Sequence, residues 1–238
     1  MAERHFDVAI MQPGYLPWLG YFDLVATADV FVLYDDVQFD KGSWRNRNRI
    51  VGPVEPLFLS VPIRTAGRLT QSIRDTELAD DRWRRVHLKT IAQTYRRAPF
   101  FDWCFPQIDR YLSEKPYRWL LDLCVDGHTA LASLLGVTTP MKLSSEIGYQ
   151  DAGKTQRLVA IARELGASRY VSADASKEYM VESLWDDAGI DIVYQNYPHP
   201  AYRQFVEPFQ SHLSALDALM FAGPQASSFV GISHDKTR

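Results

Sequence analysis

Charged and amide side chains are concentrated in the stretch YDDVQFDKGSWRNRNRI, residues 34–50. Arginines bind phosphate or carboxylate through paired hydrogen bonds, and asparagines form hydrogen bonds with polar groups of a ligand. In an extended segment alternate side chains share one face. The stretch therefore predicts contacts with an anionic ligand, or alternatively an edge strand that its charges protect from aggregation. The residues that we assign to ligand binding here are Gln38, Trp44, Arg45, Asn46, Arg47, Asn48 and Arg49.

Two adjacent carboxylates, Asp35 and Asp36, precede the basic residues of this stretch. Neighbouring residues of a strand point to opposite faces, so only one of the two is expected to enter a given site. Magnesium prefers one or two carboxylates together with retained water. The pattern is therefore compatible with a magnesium ion that is bound together with a nucleotide.

A second concentration of special residues is MQPGYLPWLGYF, residues 11–22, directly after the apolar run HFDVAIM. Glycines permit close backbone approach, prolines fix the chain path, and the aromatic rings offer a stacking wall for a base, a sugar or an acyl group. The alternative is a rigid loop whose rings fill the core. The residues that we assign to the site here are Gln12, Tyr15, Trp18 and Tyr21.

The third candidate combines YVSADASKEYM with YQNYPHPAYRQF. Small residues after a strand, beginning at Ser172, can offer backbone N–H groups to an anion ahead of Tyr179. His199 is framed by prolines beside Tyr202 and Gln204, and an imidazole is suited to acid/base chemistry. A hydrogen-bonded structural histidine is the equal alternative.

No metal or haem site is expected from the remaining histidines and cysteines. None of the other five histidines has a companion at the spacing of metal ligands, so we predict no zinc site and no haem. Cys104 and Cys124 lie in apolar flanks, which indicates core residues rather than nucleophiles.

Composition places further bounds on the 238-residue chain. The formal net charge of −3 is too small to predict binding to DNA. The start MAERHFDVAIMQP lacks an apolar signal core, and no apolar run approaches the ~20 residues needed to cross a bilayer. We therefore expect a cytoplasmic protein without membrane insertion.

Hydrophobic periodicity predicts strands and helices in alternation. A strand, a Gly/Pro loop, a helix and the strand DVFVLYDDVQF make a βαβ unit the economical choice for the first part of the chain. DRWRRVHLKTIAQTYRRAP and KPYRWLLDLCVDGHTALASLLG read as long helices. We predict one α/β domain over residues 1–238, with a Rossmann-like, largely parallel sheet and a helical insertion over residues ~80 to 135.

The chain resembles the WbqC-like protein family, whose members open with the pattern seen here as MQPGYLPWLGYFDLVATADVFVLYDDVQFDKGSWRNRNRI. The likeness continues through HLKTIAQTYRRAPFF, GASRYVSADASKEYM and AGIDIVYQNYPHPAYRQF. The resemblance implies a place among O-antigen, other surface-polysaccharide or natural-product biosynthesis. Members commonly carry a Ser-Gly-x-Gly type loop, whereas residues 172–176 read SADAS, so tight phosphate cradling by this loop is not expected.

A more distant likeness concerns the opening βαβ unit, which looks like that of nucleotidyltransferase-type enzymes such as pantothenate synthetases. In those enzymes a His-x-Gly-His stretch stabilises charge on the transferring phosphates. Here the stretch reads Trp18, Leu19, Gly20, Tyr21, so both histidines are missing. Charge stabilisation would then fall to Lys41 or an arginine.

These observations predict a transferase that moves an acyl or aminoacyl group onto a nucleotide-linked sugar or a related small metabolite bearing phosphate or carboxylate. His199 and Asp36 would handle protons, with Lys41 as the third catalytic residue. A carrier protein or a tRNA would be a suitable donor. The alternative is a non-catalytic protein that binds a nucleotide or glycan precursor in the same pocket.

Overall fold

The computed structural model describes residues 5–68, 70–149, 152–178 and 180–232. Its strands, in chain order, are β1 (Asp7–Met11), β2 (Val30–Leu33), β3 (Arg47–Ile50), β4 (Leu57–Ser60), β5 (Met141–Leu143), β6 (Arg169–Ala173) and β7 (Asp191–Gln195). Its α-helices are α1 (Leu19–Thr27), α2 (Arg82–Tyr95), α3 (Phe101–Ser113), α4 (Leu120–Leu134), α5 (Ser144–Ile147), α6 (Lys154–Glu164), α7 (Ser183–Asp186) and α8 (Ala215–Ala222). Short 3-10 helices cover Asp174–Glu178 and Gly223–Phe229.

Five parallel strands form the central sheet in the order β5-β2-β1-β6-β7. The chain builds outward from β1 through β2 to β5, and then crosses back to β6 and continues to β7. The strand order therefore reverses between β1 and β6. This topology confirms the predicted α/β class with a Rossmann-like parallel sheet.

Strand β1 is buried on both faces, as a central strand of such a sheet must be. Val8 and Ile10 pack into the apolar cluster on the side of α6 and α7, while Ala9 packs into the cluster on the side of α1. The alternation follows from the two-residue period of a strand. Helix α1 is buried at eight of its nine positions, which explains its almost uniformly apolar sequence.

The strands of the basic stretch do not join the parallel sheet. β3 pairs antiparallel with β4 in a separate two-stranded sheet, with Arg47 opposite Ser60 and Ile50 opposite Leu57. Alternation along β3 buries Asn48 and Ile50 and leaves Arg47 and Arg49 half-buried on the other face. The predicted sharing of one face by alternate side chains is thus present in the structure.

Three consecutive helices, α2 to α4, occupy the segment for which a helical insertion was predicted. They enclose the largest apolar cluster together with α8 and the loop that follows β1. The two long helices predicted in this segment correspond to α2 and α4, and α3 lies between them with Pro106 inside it, a residue that is uncommon in helix interiors. Among the described residues, no helix is long and apolar enough to cross a membrane.

Two buried histidines belong to this helical part. His87 in α2 accepts or donates a 2.9 Å hydrogen bond through Nδ1 to the hydroxyl of Tyr15, and His128 in α4 contacts the carbonyl of Gly14 through Nε2 at 3.0 Å. Burial lowers the pKa of each imidazole from 6.5 to about 4. Both rings are therefore neutral in the folded protein at neutral pH.

Acid should destabilise the protein through these two histidines. Because their pKa is lower in the folded than in the unfolded chain, the unfolded chain binds more protons between pH 6.5 and 4, and the free energy of unfolding falls as the pH falls through that window. Each histidine contributes up to about 3 kcal/mol of this loss. Urea unfolding at pH 7 and pH 4.5 should show a smaller loss in His128→Gln than in the wild type, and an equal loss in both would contradict the assignment.

Candidate functional site

Two adjoining cavities open where the strand order reverses, beyond the carboxyl ends of β1 and β6. They have volumes of about 430 Å³ and 580 Å³ and share Met11, Arg45, Ala173 and Ala175 in their linings. Ligands of open α/β sheets bind at such a switch point. We call the smaller cavity the first chamber and the larger one the second chamber.

The two chambers differ in the side chains that line them. Those particular to the first chamber include Trp18, Tyr21, Trp44, Arg49, Gln195 and His212. Those particular to the second chamber include Gln12, Tyr34, Gln38, Asp40, Lys154 and Ser172. The first chamber is thus aromatic and cationic, whereas the second offers amides, a carboxylate, an ammonium group and hydroxyls.

Trp18 forms one wall of the first chamber. Its indole stacks on the ring of His212, with 5.1 Å between ring centroids, and lies nearly parallel to His199 at 6.0 Å. A Cβ atom on Gly20 would collide with the ring of Trp18. Glycine at position 20 therefore lets the indole lie across the first turn of α1 and face the cavity.

Tyr21 lies at the first chamber with only 7 % of its surface exposed. Its hydroxyl has no hydrogen-bond partner among the residues that the structure describes. Burial holds the pKa of Tyr21 well above its usual value, and the nearby Arg45 acts in the opposite direction. The hydroxyl is therefore protonated and can donate a hydrogen bond to a ligand.

Cationic groups reach the first chamber from the basic stretch. Arg45 lines both chambers, and its carbonyl accepts a hydrogen bond from the Tyr15 N–H at 3.0 Å. The guanidinium of Arg49 lies over the ring of Trp44, 5.2 Å from its centroid, and donates to the carbonyl of His212 at 3.3 Å. The guanidinium of Arg47 lies over Phe58, at 4.9 Å, and at 6.0 Å from the ring centroid of Trp44, and Arg47 does not line either chamber.

The imidazole at the chamber is that of His212 rather than that of His199. Both ring nitrogens of His199 are engaged, Nδ1 with the carbonyl of Pro200 at 3.0 Å and Nε2 as acceptor of the His212 N–H at 3.2 Å. Burial lowers the pKa of His199, with a smaller contribution from His212. His199 thus supports the backbone of His212, whose side chain is exposed and lines the first chamber.

The structure does not bring Tyr15 to the chambers. Its ring is fully buried between the loop after β1 and α2, edge-on to Trp83 at 5.9 Å, with its hydroxyl on His87. Tyr15 therefore fills the core, as in the alternative interpretation of this loop. Trp18 and Tyr21, by contrast, reach the first chamber.

The two carboxylates after β2 lie against Ser144 rather than in a chamber. Asp35 is fully buried and accepts hydrogen bonds from the Ser144 hydroxyl at 2.9 Å and the Ser145 N–H at 3.0 Å. Asp36 pairs with Arg157 at 2.5 Å, and both side chains are almost fully buried. The predicted proton-handling role of Asp36 would therefore require a carboxylate that is held in a buried ion pair.

Three more residues of the basic stretch have distinct placements. Asn46 donates to the carbonyl of Val61 at 2.8 Å, which ties the stretch to the end of β4. Asn48 lines the first chamber, but its amide nitrogen is used by the carbonyls of the loop after β1. Lys41 is exposed in a turn and lines neither chamber, so the structure does not join it to the site.

Tyr202 and Gln204 belong to a buried network centred on Asp217. The Tyr202 hydroxyl and the Gln204 amide donate to Asp217 Oδ2 at 2.9 Å and 2.7 Å, and the Tyr95 hydroxyl donates to Oδ1 at 2.6 Å. Burial raises the pKa of Asp217, and these hydrogen bonds act against the rise. The two residues therefore stabilise the core beneath α8 and line neither chamber.

The end of β6 borders the second chamber. The Ser172 hydroxyl is buried and lies 2.6 Å from that of Ser176, which donates to the carbonyl of Ala173. Gln12 and Gln38 lie on the same chamber. Tyr179, which was assigned to the site with Ser172, lies outside the described residues.

Neither cysteine is placed as a nucleophile. Burial raises the pKa of Cys104 and of Cys124 to about 12, so both remain thiols at neutral pH. Among the described residues, no group of three or more His, Cys, Asp or Glu side chains is arranged to hold a metal ion.

Sequence reasoning missed His212, Gln195 and Lys154 as residues of the chambers. His212 has a φ angle of 56°, a left-handed conformation that is uncommon outside glycine and often marks functional positions. The backbone turn that directs its ring to Trp18 has no signature in the sequence. Gln195 ends β7, and its amide nitrogen donates to Asp23 and to the carbonyl of Gly20.

Fold and site together define an α/β protein with a two-chambered cleft at the switch point of a Rossmann-like sheet. Residues 12–229 match the WbqC-like protein family, and the chain therefore belongs to that family. The uncharacterized protein Rv1507c of Mycobacterium tuberculosis is 34% identical over 228 residues, which cover 94% of this chain and 96% of that protein. No solved structure matches the chain. Membership of the family is compatible with a role in biosynthesis.

Replacement of Asp36 should reveal a structural role for its ion pair. Asp36→Asn leaves the buried Arg157 guanidinium without its counter-ion, and breaking one partner of a buried pair costs about 3–5 kcal/mol. Urea unfolding measures this loss, with Asp187→Asn as an exposed control that should change stability by less than about 0.5 kcal/mol. An Asp36→Asn protein of wild-type stability would refute the structural assignment.

Proposed function

We propose that this protein is a transferase that moves an acyl or aminoacyl group onto a nucleotide-linked sugar or a related small metabolite in surface-polysaccharide or natural-product biosynthesis. The observation that carries the proposal is the first chamber, where two indoles, two guanidiniums and an imidazole converge at the switch point of the sheet. Guanidiniums bind phosphate or carboxylate, and indoles pack on flat or apolar surfaces.

Family membership supports the biosynthetic part of the proposal, because the family is associated with O-antigen and related pathways. A donor carried by a carrier protein or a tRNA fits the open side of the cleft, since Trp44 is 45% exposed at its rim. Magnesium would enter with a phosphate-bearing substrate, because Asp35 and Asp36 are already engaged by Ser144 and Arg157.

His212 is the residue that we propose for proton transfer. In acyl transfer an amine or hydroxyl of the acceptor attacks the donor carbonyl, the bond to the leaving group breaks, and the acceptor's proton passes through a base to the leaving group. The His212 imidazole lines the chamber and is held by stacking on Trp18. Arg49, whose guanidinium donates to the carbonyl of His212, would stabilise the negative charge that develops on the carbonyl oxygen.

The second candidate is a non-catalytic binding protein for a nucleotide or glycan precursor, which also fits two cysteines that are not placed as nucleophiles. Both cysteines are buried thiols of raised pKa, so neither offers a covalent route. A direct transfer between two bound substrates needs no nucleophile from the protein, whereas a binding protein needs no proton-transfer residue. The two candidates differ in whether His212 affects turnover alone.

Ligand binding to the first chamber should be detected by thermal unfolding against nucleotides, nucleotide-linked sugars, acyl-CoA compounds and amino acids. A ligand that binds only the folded protein raises the unfolding midpoint by mass action. Arg49→Ala should weaken binding about 10- to 100-fold, because it removes a charge-assisted hydrogen bond. Arg47→Ala is the matched control, since Arg47 lies on the same strand face and over Phe58 but does not line the chamber, and its contact with Trp44, at 6.0 Å, is longer than that of Arg49, at 5.2 Å. Equal effects of the two variants would contradict the placement of the ligand.

His212→Gln should separate catalysis from binding. Loss of a general base lowers turnover by about 10²- to 10⁴-fold, while the ligand-induced rise of the unfolding midpoint should persist. The measurement is kcat with the substrate that the thermal panel identifies, together with the midpoint shift in the same variant. Parallel loss of turnover and binding would remove His212 from proton transfer and favour the binding protein.

A further inference from the structure

The second chamber is a cavity of about 580 Å³ for which the proposed transfer chemistry supplies no role. The amides of Gln12 and Gln38 and the carboxylate of Asp40 line it, together with Tyr34 and Lys154. Amide side chains donate and accept at once, and a carboxylate accepts from N–H and O–H groups. These side chains could bind a part of a ligand that carries both hydrogen-bond donors and acceptors along one edge, together with hydroxyl groups.

The two chambers differ in the charged side chains that line them. Those of the first chamber are the guanidiniums of Arg45 and Arg49, whereas those of the second chamber are the Asp40 carboxylate, the Lys154 ammonium group and the shared Arg45. A phosphate is attracted by both charged residues of the first chamber, whereas in the second chamber Asp40 repels it. A nucleobase, by contrast, is read by glutamine amides and by carboxylates, which bind its edge, and stacks on tyrosine rings.

Arg45 is the charged side chain that both chambers share. Its backbone is fixed by the hydrogen bond from the Tyr15 N–H, and its charge acts on the buried Tyr21 hydroxyl. A protonated hydroxyl and a guanidinium at one junction form a natural seat for phosphate oxygens. A ligand with phosphates in its middle would therefore extend from this junction into both chambers.

We propose that one nucleoside diphosphate sugar spans the two chambers, with its nucleoside in the second chamber, its diphosphate at Arg45 and its sugar in the first chamber. This inference rests on the proposed function and assigns the orientation of its acceptor substrate. The orientation brings the sugar to Trp18 and His212, where the proposed proton transfer takes place. The reverse orientation would place the sugar beside Asp40 and Lys154, away from the imidazole.

Calorimetric titration with nucleoside diphosphates and their sugar conjugates tests the orientation directly. The probes are UDP, GDP, UDP-N-acetylglucosamine and GDP-mannose. Gln38→Ala should lower the affinity for the diphosphate and for its sugar conjugate by the same factor, roughly 3- to 10-fold, because it removes hydrogen bonds to the nucleoside. Trp18→Ala should lower the affinity for the sugar conjugate, because it removes contacts to the sugar only. Its affinity for the diphosphate without the sugar should stay within twofold of the wild-type value.

Asp40→Asn provides a second variant of the second chamber in case Gln38→Ala disturbs the β-bridge that Gln38 forms with Ser72. The unfolding midpoint without ligand must match the wild type for either variant to be used. Loss of diphosphate binding in Trp18→Ala, with wild-type binding in Gln38→Ala and Asp40→Asn, would overturn the orientation and leave the proposed function intact. Failure of the wild type to bind any of the four probes would withdraw this substrate class, and the orientation with it.

Failure of the proposed function gives a different result. A protein that binds the sugar conjugate with the expected response of both variants, but shows no transfer from acyl-CoA, aminoacyl-tRNA or acylated carrier protein, would support the orientation and overturn the transferase. The binding-protein candidate would then stand with its ligand identified.

Discussion

The cleft depends on the hydrogen bonds by which Asn48 holds the loop after β1. Its amide nitrogen donates to the carbonyls of Tyr15 and Leu16, at 3.2 Å and 2.7 Å, from a buried position on β3. Leu16 has a φ of 45°, a conformation that a non-glycine residue keeps only when surrounding contacts fix it. Because this turn separates Tyr15 from Trp18, it decides which ring enters the core and which one faces the first chamber. The same strand carries Arg49, so a single contact positions both walls of the chamber.

The parallel sheet was predictable, since HFDVAIM, DVFVL and RYVSA are apolar runs bounded by turn residues and the helices between them are strongly periodic. Which of two similar residues enters the core and which one reaches the chamber was not predictable. Tyr15 and Trp18 stand three positions apart in one loop, and only tertiary contacts sort them. His199 and His212 are separated by a segment whose path places the second ring, rather than the proline-framed first, on the chamber.

Several residues that were predicted for the site instead form hydrogen bonds or ion pairs with buried polar groups of the fold. Tyr202 and Gln204 satisfy Asp217, and Arg157 neutralises Asp36. A buried carboxylate must be hydrogen-bonded or paired, so the side chains that do this have the same types as those of a binding site. A sequence shows the polar residue but not the burial of its partner. The Tyr21 hydroxyl differs from the hydroxyl of Tyr202 because it is buried without a hydrogen-bond partner within the described part of the chain, and it lies at the first chamber.

The absence of histidine at positions 18 and 21 changes what the opening βαβ unit can do. The sequence resemblance to adenylyl-transferring enzymes implies imidazoles at these positions that stabilise transferring phosphates, whereas here Trp18 and Tyr21 line the first chamber. An indole and a protonated phenol cannot supply that positive charge. They can, however, pack on a flat or apolar surface and donate a hydrogen bond. Cationic charge enters the first chamber from Arg45 and Arg49 instead, so charge on a bound group would be stabilised there by guanidiniums rather than by imidazoles at positions 18 and 21.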